Sequence, residues 1–352
     1  MGLPPSEIPQ GAIRFNTDSQ KLEFYAQDEW WNIVTDTPNL GISTAGATAS
    51  SGSAGARGVF AGGYNPATIN TIQYVNIAST GNSITFGNLS LNTRRWGGAC
   101  ASSTRAVFAG GANVPGSASQ VNDIEFVTIA STGNSTDFSA DLTTTRRSLT
   151  GLSNATRGLF AGGYTGAAPN FNTIDYITIA STGTIGDFGD LSVAKSSLFA
   201  CASPTRGIFA GGSLLPAGIN VIEYVTISTV GNTTDFGDLT TAVKTIAGAC
   251  SNATRGIFAG GYSPTFTNLI EYISIATLGN AVKFGELTTL RRGITGMSSP
   301  TRAVFSSGTN PAGADNTMDY VTILTQGNAV DFGDASTSVT GSFGSSNAHG
   351  GL

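Results

Sequence analysis

One segment, written six times, limits what this chain can become. Arg57-Gly-Val-Phe-Ala-Gly-Gly63 returns at Arg105–Gly111, Arg157–Gly163, Arg206–Gly212 and Arg255–Gly261, and in weakened form at Arg302–Gly308. The six arginines are 48, 52, 49, 49 and 47 residues apart. A unit of that size cannot bury its own apolar face, so the copies must stack on one another. A period of about 49 residues is that of a four-stranded propeller blade and exceeds that of most helical repeats. Because each copy touches only its neighbours, 352 residues do not demand two domains.

Within a copy the pattern predicts four short strands. In the fifth these are a, Ile246–Cys250; b, Arg255–Ala259; c, Ile270–Ile275; and d, Ala281–Phe284. Strand c alternates polar with apolar residues, the period of a strand with two different faces, and each run is rich in β-branched or aromatic residues. Ser-Asn-Ala-Thr, Gly-Gly and Thr-Leu-Gly-Asn fall between the runs as turns. Small residues dominate a, as crowding about a central axis requires. Strand d carries a recurrent phenylalanine (Phe86, Phe138, Phe188, Phe236, Phe284, Phe332) placed to pack against the neighbouring blade.

The expected fold is all-β, a propeller of four-stranded blades. Residues 41–335 hold six repeats, which leaves 1–40 and 336–352. The stretch Val339–Ala348 reads as a strand a with its turn, while Ala12–Phe15, Lys21–Tyr25 and Trp30–Val34 read as b, c and d. Joined, they would make a seventh blade and remove the open sheet edges that template aggregation. Seven blades are preferred, with 336–352 as the closing strand. A six-bladed ring with residues 1–40 as a separate hairpin is the alternative.

At this point the repeat resembles the kelch family, through Phe258-Ala-Gly-Gly261, Tyr272, Phe284 and the following Arg291-Arg292, with Phe standing where kelch units usually carry Trp. The segment Gly11–Asp18, Leu22–Tyr25 and Trp30-Trp31 resembles one found in tail-fibre and other virion structural proteins of bacteriophages, particularly those infecting cyanobacteria. The resemblances imply a virion component, a fibre, spike or capsid decoration. Its expected partners are other virion proteins or a host-surface polysaccharide, and it is expected to form a homo-oligomer on the particle. An intracellular kelch-type interaction module and a carbohydrate-active propeller enzyme are the alternatives.

Catalysis finds little to work with. The one histidine, His349, excludes a histidine-based triad or cage. Asp187 and Asp190, Asp235 and Asp238, and Asp331 and Asp334 could serve glycoside hydrolysis as pairs, but they recur copy after copy, which favours ion pairs and turn bonds. Cys100, Cys201 and Cys250 share a position with Gly52, Leu152 and Met297 and read as buried filler. No catalytic residue, metal site or cofactor is expected. A formal charge of −5 gives no field for nucleic acid, and no run approaches the about 18 apolar residues of a membrane span.

The structural arginines are expected to be Arg57, Arg105, Arg157, Arg206, Arg255 and Arg302, each bonding carbonyls or a carboxylate at a blade junction. Recognition is expected on the face where the b–c and d–a connections emerge, because the b–c loops vary while the opposite turns are stereotyped. The candidate binding residues there are Tyr64, Tyr164, Phe171, Tyr262 and Phe266 from b–c loops, with Arg94, Arg95, Arg146, Arg147, Arg291 and Arg292 from d–a loops. Aromatic faces beside guanidinium groups suit a carbohydrate or acidic polysaccharide.

Overall fold

In the computed structural model, which describes residues 9, 11–16, 21–26, 29–32, 56–113, 119–166, 170–214, 217–245, 248–262 and 264–352, the repeats fold as antiparallel sheets in the order a-b-c-d. Six four-stranded sheets result. Sheet 1 has strand a at Phe343–Ser346, b at Arg57–Ala61, c at Thr71–Asn76 and d at Ile84–Asn88. Strands a of sheets 2 to 6 are Gly98–Ala101, Thr150–Ser153, Phe199–Ala202, Gly248–Ser251 and Thr295–Ser298. Strand b is apolar throughout because both its faces are covered, as in the fully buried Gly158–Ala161 after a half-exposed Arg157.

The expected seventh sheet does not form. Phe343 pairs with Ala61 and Ser346 with Gly58, so the last strand is strand a of sheet 1. The first copy's strand b offers a fully buried edge in Val59, Phe60 and Ala61, whereas Ile13 of the b-like N-terminal segment is exposed and no Gly-Gly follows it. The last strand takes the segment that carries the repeat's apolar run and Gly-Gly end. Residues 41–55, expected to begin the first copy, and the expected strand end Ile33-Val34 lie outside the described residues.

The chain divides into two units, Met1–Ser53 and Ala54–Leu352. In the first, Ile13–Asn16, Lys21–Ala26 and Glu29–Asn32 form a three-stranded sheet. Its Arg14 pairs with Glu23 at 2.8 Å and lies 4.0 Å over the Trp30 ring, and the Trp30 ring meets the buried Tyr25 edge-on.

In the second unit the inner strands neighbour one another in a cycle, from Gly98–Ala101 round to Phe343–Ser346 and back. This is a propeller-like arrangement, and every apolar cluster lies between two sheets. One joins Val59, Phe86 and Leu89 of sheet 1 to Phe108, Val127 and Ile129 of sheet 2, and another joins Met297, Val304 and Phe332 of sheet 6 to Phe60, Val75 and Ile77 of sheet 1. The d-strand phenylalanines sit in these clusters and meet the aromatic ring of their own strand c edge-on, as Phe86 meets Tyr74 at 5.9 Å. Their carbonyls accept from the next sheet's c–d turn at 2.7–3.1 Å, Gly133 bonding Phe86 and so on round to Gly81 bonding Phe332. Cys100, Cys201 and Cys250 are buried, and burial pushes the Cys201 thiol up to about 12.

The Gly-Gly doublet ends strand b for a steric reason. Gly62 and Gly63 have φ of 66° and 118°, and a Cβ on Gly62 would stand 2.1 Å from the Arg94 carbonyl oxygen. That approach lets the Gly63 amide bond the same oxygen at 2.7 Å, pinning the d–a loop against the end of strand b.

Candidate functional site

The six recurrent arginines belong to the frame. Each Nη1 donates to a carbonyl at the end of strand c in the next sheet: Arg57 to Ile129, Arg105 to Ile179, Arg157 to Ile227, Arg206 to Ile275, Arg255 to Ile323 and Arg302 to Ile77, at 2.8–3.1 Å. Each guanidinium also stacks over the Tyr or Phe of its own strand c, Arg255 for example 4.3 Å over Tyr272. The last bond, from sheet 6 to sheet 1, completes the cycle.

The d–a arginine pairs separate into two populations. Arg94, Arg146 and Arg291 were expected on the binding face, but their side chains are 0% exposed and lie between sheets. Arg94 pairs with Glu125, Arg146 with Asp175 at 2.8 Å and Arg291 with Asp319 at 2.5 Å; Lys195 makes the equivalent pair with Glu223 at 2.5 Å. The partners come from strand c of the next sheet. Consecutive residues of an extended segment point to opposite sides, so the first cation of each pair enters the junction and is unavailable to a ligand.

The second member of each pair turns toward the loop face. Arg95 lies 4.4 Å from the Tyr64 ring centre and 4.1 Å from that of Trp96, while Arg147 lies 5.2 Å from Trp96 and 4.8 Å from Tyr164. Tyr64, Arg95, Trp96, Arg147 and Tyr164 thus alternate ring and cation across sheets 1 to 3. A second cluster joins Arg292, 5.1 Å from Tyr262 and 5.2 Å from Phe266, with Lys244 6.0 Å from Tyr262. Tyr262 and Phe266 meet edge-on at 5.5 Å. Phe171 bonds the Gly163 carbonyl through its amide at 2.8 Å and, among the described residues, joins neither cluster.

Trp96 is absent from the expected set. Its backbone adopts φ of 58°, as Ser148, Ser197, Gly293 and Gly341 do at the equivalent places, with φ of 54° to 71°. These residues encircle the mouth of the axis: Trp96 N bonds Gly341 O, Ser148 N bonds Trp96 O, Ser197 N bonds Ser148 O and Gly341 N bonds Gly293 O, at 2.6–3.2 Å. The signal was one bulky residue at a periodic position otherwise held by Ser, Thr or Gly.

The axis itself is nearly filled. Inner-strand residues Ala99, Gly151, Ala200, Ala249, Gly296 and Gly344 form a collar between two cavities of about 40 and 60 Å³, room for water and too little for a sugar ring. At the end away from the loop face stands His349. Its Nε2 donates to the Ala101 carbonyl at 2.8 Å and its Nδ1 accepts from the Gly351 amide at 3.1 Å, so only the neutral Nε2–H tautomer satisfies both. Burial holds this imidazole below its ordinary pKa, against the opposing pull of the Ala101 carbonyl. Gly350 follows beneath the Ala202 and Asn252 carbonyls, so the tail lies across the inner strands. A histidine near the C-terminus, with no counterpart in other repeats, gave no periodic signal for this role. Among the described residues no three His, Cys, Asp or Glu side chains gather as a metal site requires.

No protein-family model matches the chain, and a search of curated proteins finds no match.

Proposed function

We propose that this chain is a non-enzymatic virion structural protein, a six-bladed kelch-like propeller used as a tail-fibre, spike or capsid-decoration module. Its loop face contacts a host-surface glycan or a neighbouring virion protein. The observation that carries this reading is the pair of cation–aromatic clusters on variable b–c and d–a loops, held by a frame in which the same arginine-to-carbonyl bond recurs at every junction. The resemblance of residues 11–31 to phage fibre segments supports attachment to a particle. Ring faces cover sugar rings, and guanidinium and amide groups supply directed hydrogen bonds to hydroxyls.

The test exploits the repeat. Tyr64, Tyr164 and Tyr262 share a bridge position with Ser213 and Thr309, and Phe266 shares its own with Thr68, so Tyr→Ser at all three places, with Phe266→Thr, uses residues the scaffold already accepts. Particles carrying the quadruple variant should lose adsorption while the purified protein keeps its melting temperature. Unchanged adsorption overturns the reading. Turnover of a host glycan by purified wild-type protein would move it to the enzyme alternative.

A further inference from the structure

We propose that the cluster of Tyr64, Arg95, Trp96, Arg147 and Tyr164 binds an anionic saccharide, a sugar residue carrying a carboxylate or sulfate group, with the anion held at Arg95. This rests on the preceding reading and narrows its ligand class and place.

Charge is the first support. Among the described ion pairs, the inward cations Arg94, Arg146, Lys195 and Arg291 each have a carboxylate, and Arg95 has none. Yet Arg95 is only 7% exposed, and its Nε is buried with no hydrogen-bond partner. Arg147 stacks on the same indole, so two cations share one ring. Burial first, and then repulsion from Arg147, holds the Arg95 guanidinium below its ordinary pKa. A guanidinium in that setting stays charged, and a paired anion offsets both the desolvation and the repulsion cost.

The repeat supplies the second support, because it shows what the fold itself requires. At the bridge position of Arg95 the ring accepts Ser196 and Thr340, and at the position of Trp96 it accepts Ser148, Ser197, Gly293 and Gly341. Closure therefore needs neither the cation nor the indole. Trp96 holds a left-handed conformation that bulky residues rarely adopt, and Gly341 makes room for it, since a Cβ there would lie 2.1 Å from the indole. Ser148 and Ser197 hold the same left-handed turn with small side chains and Gly293 and Gly341 with none, so a bulky ring kept there at one copy marks a site rather than a scaffold. The half-buried Tyr64 and Tyr164 rings flank the cations and offer surfaces for the sugar's C–H groups.

The experiment measures binding of the full-length chain to polygalacturonate, dextran sulfate and neutral dextran, for wild type and for Arg95→Ser and Trp96→Ser. Wild type is expected to retain at least one anionic polymer and not dextran. Each variant should weaken that binding about tenfold or more, with unchanged melting temperature, and about 0.5 M salt should weaken it in the wild type. Retention of both anionic polymers assigns recognition to charge on a sugar, and retention of one names the group; either supports the proposal. Dextran bound as tightly as the anionic polymers, unchanged binding by Arg95→Ser, or no binding to any polymer overturns it. If adsorption still falls in the quadruple variant, only this inference fails; if adsorption is unchanged, the broader reading fails with it.

Discussion

Two junctions in the ring have lost the buried cation, and they have done so differently. Between sheets 6 and 1, Val339 stands where Arg94 stands between sheets 1 and 2, each backbone carbonyl accepting from the second glycine of a doublet or its equivalent. The facing residue is Gln73, whose Oε1 accepts from Ser83 Oγ at 2.6 Å and Ser336 N at 2.9 Å. It thereby matches Glu125, which accepts from Ser135 Oγ and Ser90 N. Between sheets 4 and 5, Val243 has also replaced the cation, but Glu271 keeps its carboxylate at 4% exposure, with Ala281 in place of the serine hydroxyl. Its Oε1 accepts from Thr240 N at 2.8 Å, and among the described residues it enters no ion pair. One junction neutralised both partners and the other only one. A buried pair of opposite charges is close to neutral for stability when replaced whole and destabilising when halved, so the sheet 4–5 junction is expected to be the weakest.

The largest test of that comparison halves an intact pair. Arg94→Val should destabilise the ring by about 3–5 kcal/mol in denaturant unfolding, because Glu125 is left buried and unpaired. Adding Glu125→Gln recreates the sheet 6–1 junction and should recover most of the loss. A double variant as unstable as the single one would show that the pair itself, and not its imbalance, matters.

The arginine pins run through every junction alike. Arg206→Ala at the sheet 4–5 junction and Arg105→Ala at the sheet 2–3 junction should each cost about 1–2 kcal/mol through a lost charge-assisted bond and a lost stack. Unequal costs would mean that the pins and the buried pairs are coupled. Glu271→Gln should raise stability by about 1 kcal/mol, since it removes a buried charge that has no cation. A fall in the melting temperature would refute the ranking of junctions.

The smallest effect concerns the tail that crosses the inner strands. The folded His349 pKa lies below the ordinary 6.5, so in the window beneath that value the undocked tail binds the proton more readily. Docking is then complete above about pH 6.5 and weakens as the pH falls toward the folded value. Faster amide exchange at Gly351 and Leu352 near pH 5, corrected for intrinsic rate, checks this; a pH-independent protection factor would contradict it.

Much of the frame was legible because periodicity reports burial. The doublet, the alternating strand c and the recurrent phenylalanine fall where the structure places them. The partner of the last strand was not legible, because every strand a carries the same small-residue pattern and the sequence does not say which strand b lacks one. Nor did an Arg-Arg dipeptide reveal that its two side chains part company. The signal lay in comparing copies: the first position runs Arg94, Arg146, Lys195, Val243, Arg291, Val339, and the facing strand c position runs Glu125, Asp175, Glu223, Glu271, Asp319, Gln73. Charge appears in both or fades from both, save at Glu271. His349 has no sibling, so no comparison among copies could place it.

The pairing of Phe343–Ser346 with Arg57–Ala61 has a consequence for biogenesis. The earliest sheet waits, missing its innermost member, until Phe343–Ser346 has left the ribosome, and five finished modules meanwhile stand in an unfastened arc. In a crowded assembly line of identical chains, that arc can be clasped by the tail of a neighbour as readily as by its own. Fast local folding of each module favours closure within one chain over such exchange.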